Sequence, residues 1–326
     1  MTETKLKFVL IGCGYIGKRY ISILSQHPQC EISALIDTDF KLPEAYHHTG
    51  IPAFHSVDAW FHSGLQSDAV VVATPNASHA SIAIASLKQN NHVLIEKPMA
   101  LKRSEAETII QTAKAQNKKA MVVLQNRFAP VSGWLKKLID SKQLGNIFLV
   151  QANCFWNRDE RYYKKDSWHG TKEMDGGCLF TQFSHFIDTL YWLFGDIKNI
   201  CSKFSNFNHG QLTEFEDTGS IHFEFVQGGL GCLNFTTAVW DKSFESSLAI
   251  IAENGTVKIS GQYMERIEYC HIKNYDVPGL DSNASADNHG KMIDAFISSI
   301  QNDTVTNAEE ALHSVDIIER MYASGS

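Results

Sequence analysis

Three clusters of residues in this chain have the types and spacing to do chemistry. The first is Gly12-Cys13-Gly14-Tyr15-Ile16-Gly17, which follows the apolar run LKFVLI and opens a helix-like stretch, with Asp37 closing a second apolar run. Between a strand and a helix, this spacing cradles a dinucleotide. Gly12 permits the tight turn, Gly14 lets backbone N–H groups approach a pyrophosphate, and Gly17 lets the helix pack closely with its N-terminus toward the phosphates. Asp37 then accepts hydrogen bonds from the adenosine ribose. Its charge repels a 2′-phosphate, and Thr38 rather than an arginine follows it, so the expected cofactor is NAD.

The second cluster is Glu96-Lys97-Pro98, behind the strand-like NHVLI. Pro98 keeps Lys97 out of helical geometry and presents its amine from the strand's carboxyl end. Beside a cationic nicotinamide the ammonium form is disfavoured, which brings the lysine toward a pKa useful for proton transfer. A solvated loop lysine is the alternative. Thr74-Pro75-Asn76 ends a neighbouring strand-like run at the same rim, where ligands of doubly wound sheets collect. His79 begins the helix beyond it, ordinarily a surface or capping position. Thr74, Pro75, Asn76, His79, Glu96 and Lys97 therefore join the glycine loop as candidate cofactor contacts.

The third cluster is DGGCLFTQFSHFIDTLYWLFGD, residues 175–196. Leu179, Phe183, Phe186, Ile187, Leu190 and Leu193 recur with helical spacing, which predicts one buried helix. Thr181, His185 and Asp188 share one side of that helix, and Asp175-Gly176-Gly177 opens it with N–H groups that a ligand can approach. Thr181, Gln182 and His185 are candidate substrate contacts; a satisfied core histidine is the alternative for His185. Just upstream, NRDERYYKKDSWHGT (157–171) sets Arg158, Arg161, Lys164 and Lys165 among Tyr162, Tyr163 and Trp168. Cations clamp a diphosphate or carboxylate, and aromatics stack on bases and sugars, so a nucleotide sugar suits the loop. The alternative is a solvated basic loop with a few packed aromatics.

These clusters need elements to position them. Up to residue 122, strand-like KFVLIG, EISALID, SDAVVVAT, NHVLIEK and KKAMVVL alternate with helical runs, the rhythm of a doubly wound parallel sheet. Residues 1–122 are expected to form a Rossmann domain and 123–326 a second, α+β domain. In that second half, a helix (PVSGWLKKLIDSKQLG) and a strand (NIFLVQANCFW) lead to long strands joined by Gly-rich turns: GSIHFEFVQ, GGLGCLNFTTAV, SLAIIAENGTVKISG and RIEYCHIKNYDV. That pattern implies an antiparallel or mixed sheet, and a sheet with one uncovered face would favour a homo-oligomer. PGLDSNASADNHG reads as a polar surface loop before two final helices, with Asn307 as N-cap of the last.

Composition bounds the rest. A chain of 326 residues with 44% hydrophobic content exceeds one ordinary core, and a formal charge of −7 argues against nucleic-acid and anionic-membrane surfaces. No apolar run approaches a membrane span and no secretory segment stands at the N-terminus, so a cytoplasmic location is expected. Cysteines at 13, 30, 154, 178, 201, 232 and 270 form no CxxC pair, which suggests neither a disulfide framework nor a metal site, and Cys13 reads as a small filler.

In their order, GCGYIG, ATPNASH, EKPMA, DGG…SHFID and the terminal AEEALHSVDIIERMYASG make the chain resemble the Gfo/Idh/MocA oxidoreductase family over essentially its whole length. The resemblance implies a Rossmann domain, a second domain around an open, mainly antiparallel sheet, and a C-terminal helix returning to the first domain. It implies that Lys97 and His185 act on a reacting hydroxyl; many members carry an aspartate where Thr181 stands. Within the family, the basic aromatic loop with WxGT, DGG and TQFSHFID is similar to the UDP-N-acetylglucosaminuronate 3-dehydrogenases of surface-polysaccharide (lipopolysaccharide, O-antigen type) biosynthesis, which more often have an arginine at the position of His169. That likeness implies tightly held NAD, reoxidation by 2-oxoglutarate in some members, and dimers or tetramers. The other readings are a dehydrogenase of a free polyol or monosaccharide, a hydrolase that oxidises a sugar transiently, and a non-catalytic NAD-binding regulator.

Overall fold

The structure is a computed structural model that describes residues 5–39, 50–165, 167–277, 279 and 287–325. The chain divides into two compact units, one of residues 1–123 with 293–312, the other of 124–292 with 313–326.

The first unit is built on six parallel strands: β1 (Leu6–Ile11), β2 (Cys30–Ile36), β3 (Ala53–Phe54), β4 (Ala69–Val72), β5 (His92–Ile95) and β6 (Ala120–Val122). Their order is β3-β2-β1-β4-β5-β6, so the winding reverses between β1 and β4. At such a reversal the connections leave in opposite directions and open a crevice at the carboxyl ends. Helices α1 (Tyr15–Gln26), α2 (Val57–Ser63), α3 (His79–Lys88) and α4 (Arg103–Ala115) supply the crossovers. Phe8, Val9 and Leu10 of β1 are fully buried, because helices on both faces leave a central strand no polar side. The expected strands and helices of this unit are all present, and the two-residue β3 extends the β2 edge.

The second unit carries helices α5 (Pro130–Asp140), α6 (Lys172–Asp175), α7 (Cys178–Thr181) and α8 (Ser184–Phe194). Its seven strands are β7 (Ile147–Phe155), β8 (Ile197–Ser205), β9 (Thr218–Phe225), β10 (Leu230–Thr236), β11 (Glu245–Ala252), β12 (Gly255–Ser260) and β13 (Arg266–Ile272), in the order β13-β12-β11-β7-β10-β9-β8. Among the described residues, the central β7–β10 pairing is the parallel one between strands of this sheet. One face buries Val150, Ala152, Ile221, Phe223, Leu233, Phe235, Leu248 and Ile250. The aromatic rings of Phe183 and Phe186 meet Trp156 there, and Phe183 also meets Phe235. The other face carries Gln151, Asn153 and Asn234 at half-buried positions, with the Ser220 hydroxyl donating to Asn234 at 2.8 Å. β8 is absent from the sequence expectation: with Lys198, Asn199 and Lys203 among its residues it lacks the apolar density of its neighbours, as an edge strand can.

Residues 175–196 do not form one helix. Gly176 and Gly177 take φ of 87° and 112°, ending α6, and Gln182-Phe183 separate α7 from α8. Thr181 therefore does not share a helix face with His185 and Asp188. A Cβ at Gly177 would also run into the Tyr322 hydroxyl. The helices α9 (Asn288–Gln301) and α10 (Ala308–Ala323) follow, with Phe296 of α9 edge-on to Phe8. Residues 293–312 belong to the first unit and 313–326 to the second. Residues 278 and 280–286, most of the polar stretch read as a surface loop, lie outside the described residues.

Asn307 stands at the N-cap position of α10, its carbonyl accepting the Ala311 N–H at 2.9 Å, but its side chain turns to β6 instead of capping the helix. Its side-chain oxygen accepts the Val122 N–H at 2.8 Å and its amide donates to the Val122 carbonyl at 2.8 Å. One amide thus pairs with β6 as a neighbouring strand would, on a sheet edge whose backbone groups otherwise need partners. Replacing it in Asn307→Ala should cost about 2 kcal/mol in urea unfolding, two net hydrogen bonds' worth, with NAD affinity unchanged. Asn307→Asp should be no better, because a carboxylate cannot donate to the Val122 carbonyl.

Candidate active site

β1 ends at Ile11 and the chain turns at Gly12, with φ of 94°. A Cβ here would overlap the Ala73 carbonyl at the end of β4, and a Cβ at Gly17 would overlap the Gly12 carbonyl, so the protein's own packing requires both glycines. Gly14 is different: its φ is −68° and nothing lies within 4 Å of the Cβ it lacks. The missing side chain faces open space at the N-terminus of α1, which has no side-chain cap. Tyr15 beside it is 94% exposed, Ile16 is half-buried, and orphan N–H groups at a helix N-terminus are an anion seat. Asp37 accepts the Cys13 N–H at 2.6 Å and the Asp39 N–H at 3.0 Å, which fixes its carboxylate beside the glycine loop. Burial pushes the Cys13 thiol up to about 12, in keeping with a filler. These residues fit a dinucleotide bearing a free ribose diol.

The other strand ends are laced together from inside. His79 is 1% exposed, with Nε2 2.8 Å from the Thr74 carbonyl and Nδ1 2.7 Å from that of Pro98. Burial holds its pKa below the usual value against the pull of those carbonyls. It is neither a surface nor a capping residue: both ring nitrogens face backbone carbonyls, and a neutral ring has one N–H to donate to them, so it ties the two loops together from below. Ser78 Oγ lies 2.7 Å from both Thr74 Oγ1 and the Pro75 carbonyl, and Asn76 is buried in the turn that follows. Lys97 and Pro98 are joined by a cis peptide bond. Glu96 is buried, accepting the Tyr20 hydroxyl at 2.6 Å on Oε1 and the Lys97 N–H at 3.1 Å on Oε2.

In the second unit His185 stands in the first turn of α8, nearly buried. Its Nε2 is 2.8 Å from the Gln125 side-chain nitrogen, a contact in which the amide donates to an unprotonated ring nitrogen or, turned over, accepts from a protonated one. Two residues along the same 3₁₀ turn (Gln125–Phe128), Arg127 grips both Asp188 oxygens at 2.9 and 2.7 Å, and Ser314 adds a third donor at 3.0 Å. The guanidinium also lies over Trp192. Asp188 is thus committed to Arg127. The Thr181 hydroxyl donates to the Asp175 carboxylate, which is fully buried and also accepts the Gly170 N–H at 2.9 Å. The N–H groups at the start of α7 are not open to a ligand: Cys178 donates to Glu216 and Leu179 to the Tyr322 hydroxyl, each at 3.1 Å.

The basic aromatic loop separates into two fates. Arg158 donates to Gln182 at 2.9 Å and lies over the Trp156 and Tyr162 rings, while the Gln182 amide donates to the Tyr162 hydroxyl at 2.8 Å. Trp168 stacks on His169, which meets Tyr162 edge-on. Arg158, Tyr162, Trp168 and Gln182 therefore form one cluster, adjoining Thr181 in sequence. Arg161 does not join it: it is pinned to Asp159, to Asn157 and to the Asp241 carbonyl on the exposed surface. Tyr163 is a core residue packed on His209 and Phe215. Lys164 and Lys165 are exposed. Gln125, Arg127, Trp156 and Asp175 enter the site unforeseen; the one signal for the first two is the polar run QNR directly behind the apolar AMVVL.

A glycine loop, a carboxylate fixed beside it and an uncapped helix at the sheet's reversal have the makings of a dinucleotide-binding fold. Residues 6–124 match the oxidoreductase family with an NAD-binding Rossmann fold, and residues 134–258 match the GFO/IDH/MocA C-terminal domain. The chain belongs to the Gfo/Idh/MocA family and is an NAD-dependent oxidoreductase. It is similar to the WlbA dehydrogenase of Bordetella pertussis, solved with NADH and UDP-GlcNAcA, at 30% identity and a TM-score of 0.87, over 98% of this chain and 96% of that one. Against the WlbA dehydrogenase of Chromobacterium violaceum, solved with the same ligands, identity is 29% and the TM-score 0.89, over 99% and 94%. A glucose-6-phosphate 3-dehydrogenase of Bacillus subtilis is 30% identical over 58% of this chain and 53% of its own length.

Gly14 gives the direct test of the cofactor seat. Gly14→Ala should keep the wild-type melting temperature while weakening NAD at least about tenfold in calorimetric titration, a cost of about 1.4 kcal/mol. Gly17→Ala should instead lower the melting temperature, because its Cβ meets backbone.

Proposed function

We propose that this enzyme oxidises the C3 hydroxyl of UDP-N-acetylglucosaminuronate or a closely related UDP-amino sugar, in the biosynthesis of a surface polysaccharide. The observation that carries this reading is the likeness, over nearly the whole of both chains, to two dehydrogenases solved with NADH and UDP-GlcNAcA. The cluster of Arg158, Tyr162, Trp168 and Gln182 supports it, since a guanidinium set among aromatics and an amide suits a substrate that is both anionic and ring-bearing. A neutral polyol has no use for the cation.

In this reading the first unit is the NAD-binding domain, and the second binds the sugar nucleotide. His185 takes the hydroxyl proton, for which an imidazole is suited, and Lys97 stabilises the alkoxide that develops. NAD, when bound, supplies the hydride acceptor. The product is the 3-keto sugar, and 2-oxoglutarate is the proposed reoxidant of the reduced cofactor.

Mass spectrometry of UDP-N-acetylglucosaminuronate after incubation with protein, NAD and 2-oxoglutarate should show loss of two hydrogens. Parallel incubations with UDP-N-acetylglucosamine and glucose 6-phosphate report whether the carboxylate and the nucleotide are required; turnover of the monosaccharide alone, insensitive to added UDP, would overturn the proposal. Lys97→Met should abolish turnover, lowering kcat at least about a hundredfold, with NAD still bound.

A further inference from the structure

The second unit holds a cavity of about 230 Å³ that the proposed hydroxyl chemistry does not use. Trp156, Arg158, Phe244, Glu245, Arg266 and Glu268 are among its lining residues. Pockets for whole drug-sized ligands begin at about 300 Å³, so this one suits one part of a larger molecule. Its charges are unevenly answered. Lys258 reaches both acids, Glu268 at 2.9 Å and Glu245 at 3.6 Å, and Glu245 also accepts the Ser247 hydroxyl. The two cations are not matched in this way. Among the described residues neither Arg158 nor Arg266 has a carboxylate within ion-pair distance, and Arg266 acts on Glu268 only from farther off. Arg158 is half-buried; it gives Nε to Gln182 and Nη1 to the Asn157 carbonyl, which leaves Nη2 for the cavity. A half-buried guanidinium without a counter-charge is costly, and an anion in the cavity would complete it.

We propose that this cavity receives the diphosphate of the sugar nucleotide, with Arg158 and Arg266 as its clamp and the Phe244 ring as a stacking face for the base. Guanidinium groups match phosphate oxygens in pairs, and two of them can meet both phosphates. Lys258 balances the acids on the cavity wall, so they do not drive the anion away. Phe244 is 75% exposed, yet it is held: its N–H donates to the Phe155 carbonyl at 2.8 Å, and the two rings are parallel within 9° at 6.5 Å. Arg161 tethers the loop before it by donating to the Asp241 carbonyl at 2.6 Å. Arg158 also belongs to the cluster with Tyr162 and Gln182, so cavity and cluster are contiguous through one residue. The sugar that this site serves rests on the UDP-sugar reading above, whereas a diphosphate seat does not depend on it.

Calorimetric titration of the full-length protein with UDP and with inorganic pyrophosphate tests the seat, in saturating NADH so that the dinucleotide site is already filled. Arg266→Ala, at an exposed position, should weaken both probes at least about tenfold, the loss of one charge-assisted hydrogen bond. Phe244→Ala should weaken UDP at least about fivefold and leave pyrophosphate within about twofold, because only the base has a face to stack. If Arg266→Ala lowers the melting temperature, Arg266→Gln, which keeps most of the side chain and removes the charge, takes its place with the same expected loss. The proposal is overturned if the wild-type protein binds no UDP at about 1 mM, or if UDP affinity in the Arg266 variant stays within about twofold of wild type. An equal loss of both probes in Phe244→Ala overturns the stacking role. Turnover of a UDP-sugar with a KM that Arg266→Ala leaves unchanged removes the cavity from the account and keeps the sugar-nucleotide reading. Arg266-dependent UDP binding without loss of two hydrogens from any UDP-sugar does the reverse.

Discussion

The candidate cofactor rim depends on backbone carbonyls and N–H groups at two strand ends being paired below the surface by side chains that water does not reach. A parallel sheet ends each strand at its carboxyl edge with groups that the ladder leaves over. In the first unit, His79 spans the Thr74 and Pro98 carbonyls, and Glu96 joins the Lys97 backbone to Tyr20 of the dinucleotide helix. Two ionisable side chains thus fasten the connections after β4 and β5 to each other and to α1. Buried polar groups of this kind are costly unless every partner is present, so the loops they join have one arrangement rather than several. Lys97 inherits its placement from that arrangement.

The second unit solves the same problem with charge. Its helices α6, α7 and α8 are too short to hold their places by local propensity. Asp175 ties Thr181 to Gly170, Glu216 and Tyr322 take the leading N–H groups of α7, and Arg127 anchors Asp188 of α8. A buried ion pair adds little net stability over an apolar pair of the same size, but losing one member leaves a stranded charge that costs several kcal/mol, about 3–5. These contacts therefore specify geometry more than they stabilise. The Gly176-Gly177 turn follows from them: its positive φ values bring backbone close enough to the Tyr322 hydroxyl that no side chain fits.

What could be read from the sequence was what repeats or what spacing dictates. The alternation of KFVLIG, EISALID and SDAVVVAT with helical runs reports a parallel sheet because each strand is buried on both faces and each crossover is amphipathic. The glycine loop was legible for the same reason, with Gly12 and Gly17 demanded by backbone contact and Gly14 by none. The single helix over 175–196 was a misreading, since buried short helices show the same apolar period as one long helix and only the glycines and Gln182-Phe183 mark the breaks. The side chains of His79 and Asn307 escaped the local capping rule because Pro98, 19 residues from the one, and Val122, 185 residues from the other, claimed them. Tyr163 and Arg161 share a loop with Arg158, yet composition could not tell a core phenol or a tethered guanidinium from an available one.

Gln125 shows how a neutral residue can matter more than a charged one at such a site. Asp188 lies one helical turn from His185 on α8. Arg127 answers both of its oxygens, so the carboxylate's charge is balanced locally and the ring's own neighbour is an amide. A carboxylate in place of Gln125 would favour imidazolium, which has no proton to accept. An amide can donate to an unprotonated Nε2 or turn its oxygen toward a protonated one. The contact therefore accommodates the ring before and after a proton transfer, which is what the role proposed for His185 requires of its neighbour.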